Sequence, residues 1–490
     1  MVHDSGSHTG RIDMLIFASM SRLVAFLGII LVVFTFGSCR RDIQLDEDPD
    51  ARLLFSRDTI VFDTVFTTVG STSRVFKVYN TSSKAVNIES IDLAGGSTSP
   101  FRINVDGVPA VSTGDILLRG GDSMFVFVDV TLDPNNLTNP LMIEDSIIFH
   151  TNGNRQTVVL NAVGRDAYFH YYEVAPCNQI WPVDKPHVVY GYVIVPSTCK
   201  LTIPAGADVY MHNNSFIASD SAATLEVLGS SASPVKFQGD RLEPEYADEP
   251  GQWRFLWCSA LSKDNIVDWA IIKNGTIGVL CDSFGASPNP TVRISNTKIK
   301  NMTLAGIFGR SSDVEGTNLE ISNCAQYCAA IAYGGSCEFR HCTFANYWNI
   351  SNRTTPAVVV NNWYEVDDFT NEVRDLTSAN FYNCIIWGDK DNELVLDSIT
   401  TGGEQFNCLF ASCVVKTDQS VFNSHFDIFS QNIFNGGVTP GFVSNTDLHL
   451  QSSSGAINLA NPAWINAAVA FDLENWDRTA SPDIGCYEWH

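Results

Sequence analysis

The sequence is short of charge, and shortest of positive charge. Asp, Glu, Lys and Arg make up 17% of the 490 residues, below the roughly 25% of an average soluble protein. Lys and Arg number 30 against 54 Asp and Glu, for a formal net charge of -24, and Arg40-Arg41 is the only basic run. Nucleic acid is excluded as a partner, because holding phosphates requires a clustered positive surface. The acidity describes a solvated exterior, with calcium as the cofactor such carboxylates would leave open and none required. A long apolar run is missing as well. LVAFLGIILVVFTF, residues 23–36, falls short of the about 20 residues that span a bilayer. Apolar material is nonetheless ample, at 45% hydrophobic residues, and the length suggests roughly two to four domains.

The 23–36 run has the flanks of a leader. Arg22 precedes it, and Gly37, Ser38 and Cys39 follow. A positive start, a short apolar core and small residues before a cut describe a signal peptide over 1–38. Met14 and Met20 are both plausible starts, and 1–19 would then be an extension. A cysteine directly after Gly37-Ser38 resembles the lipobox of bacterial lipoproteins. The resemblance implies that Cys39 receives diacylglycerol and becomes the mature N-terminus, with the membrane as partner through that lipid. Residues 39–52, CRRDIQLDEDPDAR, are polar and without period, as in a flexible tether. The expected location is lipid-anchored at the cell or outer membrane, periplasmic or surface-exposed.

Residues 53–166 carry no cysteine and no helical period. Short β-rich runs, among them TIVFDTVF (59–66), SRVFKVYN (73–80), VNIESIDL (86–93) and SMFVFVDVTL (123–132), alternate with Ser, Gly, Asn and Pro turns. Strands of this length and spacing predict a β-sandwich, and the alternation is read from Val75, Val78, Val126, Val128 and Val130. The order of phrases resembles the immunoglobulin-like modules of exported and ciliary proteins, which implies a spacer or binding platform.

Residues 167–490 repeat. VRISNTKIKN, LEISNCAQYC, CEFRHCTFAN, NFYNCIIWGD and LFASCVVKTD align on Asn296, Asn323, His341, Asn383 and Ser412, at steps of 27, 18, 42 and 29. IVDWAIIKN fits one step earlier, with Trp269 in the Asn place. Two residues before the Asn place stand Ile294, Ile321, Phe339, Phe381 and Phe410. A single short strand cannot bury its apolar face, so such units stack as rungs about 4.8 Å apart. Asn tolerates left-handed angles at a bend, and its amide can bond the amide one rung away. A ladder of Asn296, Asn323 and Asn383 follows, and unequal loops leaving at the bends account for the uneven step.

Two further phrases carry a resemblance. YVIVPSTCKLTIPAGADVY followed by ATLEVLGSSASPVKFQG is similar to the opening coils of pectin-lyase-like proteins. TPGFVSNTDLHLQSSSGAINLANP and FDLENWDRTASPDIGCYEW resemble the ending of the choice-of-anchor Q group, with Cys486 where Ala is usual and Asn458 where an acid is usual. The resemblance implies an all-β chain: an immunoglobulin-like sandwich over 53–166, then a right-handed parallel β-helix over 167–490 with a C-terminal capping coil.

The chemistry is less defined. The hydrolases of that fold resemble one another in an Asn-x-Asp, an Asp pair, a Gly-His-Gly and an Arg-x-Lys, and only Asp367-Asp368 is present here. The lyase phrase has its nearest match in IVDWAII, which lacks the His. These gaps weigh against an enzyme, and no catalytic residue is assigned. Cys324, Cys342, Cys384 and Cys413 share one repeat phase, which places them inside. A zinc site from Cys324, Cys328, Cys337 and Cys342 has the wrong spacing, and no metal is assigned. The longest insertion holds Trp363, Tyr364, Glu365, Asp367 and Asp368, aromatic faces and carboxylates suited to a sugar. The expected function is therefore a non-catalytic, membrane-anchored envelope protein that binds a glycan or other envelope component. The alternatives are a lyase or hydrolase of acidic polysaccharide, and a structural adhesin or assembly partner.

Overall fold

The computed structural model describes residues 43–67, 70–133, 141–283, 289–367, 370–418, 429–430, 433–434 and 439–490. The leader and Cys39 lie outside them, and no described helix is long and apolar enough to cross a membrane. The chain is all-β and divides into two compact units, one built from Ser73–Asp129 and Glu144–Leu160 with the chain up to Ile60, the other mainly from Asn161–His490.

Among the described residues ten strands precede residue 166: β1 (Leu53–Phe55), β2 (Thr59–Phe66), β3 (Arg74–Asn80), β4 (Val86–Leu93), β5 (Phe101–Val105), β6 (Val108–Ala110), β7 (Ser112–Leu118), β8 (Ser123–Val130), β9 (Leu141–Thr151) and β10 (Asn154–Arg165). They form two five-stranded sheets, β1-β3-β8-β5-β6 and β2-β10-β9-β4-β7. β3 pairs antiparallel with β1 and β8, and β4 with β7 and β9. Phe76 and Val78 of β3 and Val126, Val128 and Val130 of β8 are buried. Phe76 and Phe149, from opposite sheets, meet edge-on at 6.3 Å. Val75 points outward, 43% exposed. A strand's faces alternate with period two, so Val75 cannot share a face with Val78, and Phe76 takes the inward place.

From Tyr168 onward one sheet of 24 strands winds in parallel, each strand bonded to the equivalent strand one turn on. It is a solenoid-like stack with three faces visited in fixed order. Face A includes Phe216–Ser219, Phe255–Cys258, Ile277–Asp282, Ala305–Arg310 and Val358–Asn361. Face B includes Thr224–Leu228, Asn265–Asp268, Val292–Ser295, Val314–Thr317 and Leu376–Tyr382. Face C includes Val235–Gly239, Ala270–Lys273, Thr297–Met302, Leu319–Cys324, Thr343–Asn346 and Ile385–Gly388. The interior is a set of aligned columns. Phe339, Phe381 and Phe410 stack at 5.1 and 4.6 Å between ring centroids, and Ile299, Ile321, Phe344, Ile386 and Val415 form another column, all fully buried.

Asn296, Asn323 and Asn383 do not form one ladder. Asn296 stacks under Asn318, whose Nδ2 donates to Asn296 Oδ1 at 3.0 Å. That column runs on through His341 to Asn383, whose Nδ2 lies 2.9 Å from His341 Nε2, and it marks the corner between faces B and C. Asn323 belongs to the next corner, between C and A, where it donates to Asn301 at 2.6 Å and Asn301 to Asn274 at 3.2 Å. All six Asn have positive φ, from 48° to 68°. Two corners impose the same left-handed turn and so select the same residue. Ile321 and Cys324 move with Asn323, away from Ile294 and Cys342.

Two further features finish the stack. Trp181, stacked on His170 and His187 at 4.5 and 4.2 Å, caps the first turn beside a Cys177–Cys199 disulfide. At the other end a strap, residues 439–490, runs back along face C. Gly485, at φ 105°, donates its N–H to Asn383 O at 2.9 Å. A Cβ there would meet Ile385 Cδ1 at 2.7 Å and Thr343 Oγ1 at 2.8 Å, so only glycine lets the strap approach this closely.

Candidate functional site

Face A is apolar on both sides. Inward, Ile217, Leu256, Val279, Ile307 and Val358 are fully buried. Outward, Tyr192, Phe216 and Phe255 align in one column, and Ala218, Trp257, Leu280 and Phe308 in the next. The phenyl rings of Phe216 and Phe255 lie 5.6 Å apart, and Trp257 stands 5.9 Å from Phe255 and 6.1 Å from Phe216. These rings are half-buried. The Arg254 guanidinium lies over them, 5.2 Å from the Phe255 centroid. Two residues further along the rungs the chemistry turns polar. Trp257 Nε1 donates to Asp282 Oδ2 at 2.9 Å, and Arg310 grips the same carboxylate from Nε at 2.5 Å and Nη2 at 2.7 Å. The indole is thereby fixed in orientation by a charge-assisted hydrogen-bond pair.

The insertion picked out from the sequence is a β-hairpin that leaves the end of face A. Trp363–Asp367 pairs antiparallel with Thr370–Val373. Tyr364 packs 4.9 Å from Tyr333 and donates its hydroxyl to Glu372. That hydrogen bond raises the phenol's pKa and lowers the carboxyl's. Arg374 pairs with Glu372 at 2.7 Å and donates from Nη1 to Ser311 Oγ at 3.0 Å, which ties the hairpin to the residue after Arg310. Trp363 is half-buried, and its Nε1 has no acceptor among the described residues. Glu365 and Asp367 are exposed on the hairpin, and Asp368 lies outside the described residues. Thus the hairpin is fixed against Tyr333 and Ser311 at the later rungs of face A, and its carboxylates Glu365 and Asp367 stay exposed.

Trp257, Asp282, Arg310 and Arg374 were missed in the sequence. FLWC at 255–258 and IGVLCD at 277–282 put bulky residues on both sides of a strand, a pattern that reads equally as a strand buried on both faces. Face B carries a different grouping. Asp313, in register with Ser336, sits near Glu315 and Glu338. Burial raises its carboxyl pKa, the Ser336 hydrogen bond opposes the rise, and Glu315 adds to it.

Most of the described free cysteines are buried. Cys342, Cys384 and Cys413 align on successive rungs, and Cys324 pairs in register with Met302 on face C. Burial pushes Cys337, Cys342 and Cys413 well above the ordinary thiol range. Among the described residues no group of three or more His, Cys, Asp or Glu is placed to hold a metal ion.

No family model matches the chain. No curated protein matches it either. Among solved structures, the catalytic unit of a GH87 α-1,3-glucanase from Streptomyces thermodiastaticus aligns over 69% of this chain and 79% of its own, at 10% identity and TM-score 0.30. A PapD-like domain of human CEP192 aligns over 26% of this chain and 95% of its own, at 11% identity and TM-score 0.17. The VesB protease of Vibrio cholerae aligns at 14% identity and TM-score 0.17, and this chain spans 31% of its length. Likeness at this level transfers no activity.

Proposed function

We propose that this chain is a lipid-anchored envelope protein that lays an extended glycan along face A. In this reading Cys39 carries the lipid, residues 53–166 are an immunoglobulin-like spacer, and the solenoid is a right-handed β-helix of the choice-of-anchor type. The observation that supports it is the Phe216–Phe255–Trp257 ring set edged by Asp282 and Arg310. Half-buried rings on a rigid sheet form an apolar patch rimmed by charge, the usual mark of an interaction surface. The repeat along the stack, about 4.8 Å per rung, suits a polymer better than a small solute. The full chain in detergent micelles should bind a subset of a glycan array, and Trp257→Ala should weaken that binding by about tenfold. An array that stays blank, or binding indifferent to Trp257→Ala, overturns the reading.

The carboxylates of face B support a second reading, a lyase or hydrolase of acidic polysaccharide, since Asp313 stands one rung from Ser336 with the Glu315–Glu338 pair two residues further along the same strands, and such chemistry needs neighbouring carboxyl groups. New reducing ends released from bound glycan, and lost in Asp313→Asn, would replace binding by turnover.

A further inference from the structure

A second cleft lies between face C and the strap. It is an open cleft of about 440 Å³ lined by Trp269, Asn296 and Lys298 of the rungs and Leu473, Glu474 and Asn475 of the strap. The volume falls within the range of small-molecule sites. The strap is held on both sides of the opening. Asn318 Nδ2 donates to Phe471 O at 2.9 Å, and the Tyr487 hydroxyl donates to Glu320.

The two charges in the cleft do not pair with each other. Lys298 Nζ has Glu320 Oε2 at 3.7 Å, and its side chain stays 35% exposed. Glu474 is held from behind: His449 Nε2 lies 3.2 Å from its Oε1, while His449 Nδ1 meets Asp447 Oδ1 at 2.5 Å. The imidazole is clamped on the Tyr487 ring at 4.0 Å. Simple packing of a strap would bring Lys298 and Glu474 together or bury neither. Here each is fixed by its own partner, and both line the cleft.

We propose that this cleft binds one neutral saccharide unit through a vicinal diol. The Glu474 carboxylate accepts two hydroxyl hydrogens, the Lys298 ammonium and the Asn475 amide donate to hydroxyl oxygens, and the Trp269 indole covers the C–H face of the ring. An acidic sugar is disfavoured, because Glu320 already engages the one lysine that lines the cleft and Glu474 adds a second carboxylate to its wall. The site goes beyond the face A reading and does not require it. Two sites on one rigid body would raise avidity for a branched or densely displayed glycan.

The test uses the full chain and the methyl glycosides of glucose, galactose and mannose, read by saturation-transfer NMR and by calorimetry. At least one should bind, and Glu474→Gln and Lys298→Met should each weaken it by about tenfold or more with the melting temperature unchanged. Trp257→Ala should leave it intact. Loss in Trp257→Ala without loss in Glu474→Gln would place the sugar on face A and overturn this site alone. Failure of all three glycosides to bind would overturn it as well.

Discussion

Faces A and C are built from the same rungs, with the same stacked interior, yet they end differently on the outside. Face C carries Lys298, Glu320 and Thr343 outward, and the strap supplies their partners: the Tyr487 hydroxyl for Glu320 and the Cys486 N–H for Thr343. Next to them Ile385 and Trp387 pack under Leu450, Ala456 and Ile484 in a second small core. Face A carries rings outward, and those rings contact one another and Arg254. A parallel sheet is normally apolar on both sides because something covers both. On face C the chain itself is the cover. On face A a ligand is the cover we propose.

Four experiments would break or sharpen that contrast. The largest effect belongs to the interior both faces share. Phe381→Ala empties the middle of the Phe339–Phe381–Phe410 stack and should cost about 3–5 kcal/mol, read by denaturant unfolding of the solenoid.

Arg478→Leu comes next. Arg478 is fully buried, with Nε 2.9 Å from Glu488 and Nη1 donating to Asn318 at 2.8 Å. Removing it strands buried carboxylates and should cost about 3 kcal/mol or more. Limited proteolysis should then cut 471–490 first. If the strap stays resistant, face C does not depend on it.

Trp257→Ala should do the reverse. Glycan affinity should fall about tenfold, while stability shifts by no more than about 1 kcal/mol. A large loss of stability would make the rings packing and not platform.

The smallest effect is a pH dependence. Burial pushes the Glu488 carboxyl up to about 7, against the pull of Arg478 and helped by Asp483 and Asp472. A carboxyl raised in the folded state contributes stability below its unfolded pKa, and that contribution is lost as pH rises through 7. Amide exchange in 471–490, corrected for intrinsic rate, should therefore be faster at pH 8 than at pH 6. Equal protection at both would remove Glu488 as the group concerned.

The rungs were legible because a corner leaves a chemical trace. A left-handed turn selects Asn, and stacked strands select aligned apolar residues. The phase was not legible, because the B–C and C–A corners select the same residue. Read as one series, Asn296, Asn323 and His341 give steps of 27 and 18. Read as two, Asn296, Asn318 and His341 are neighbours on one corner, and Asn323 follows Asn301 on the other. The hairpin at 363–373 was visible as an aromatic and acidic insertion, but Trp257, Asp282 and Arg310 were not, since a strand apolar on both sides reads as buried.

Local chemistry in the sequence thus determined that strands form, that they stack in parallel, and where corners fall. Which outward face is covered was decided only in three dimensions. Asn318 and Phe471 are 153 residues apart, and Glu320 and Tyr487 are 167 apart. Contacts across such separations follow from the strap's return path along the solenoid, and no local pattern in either segment records where the other will lie.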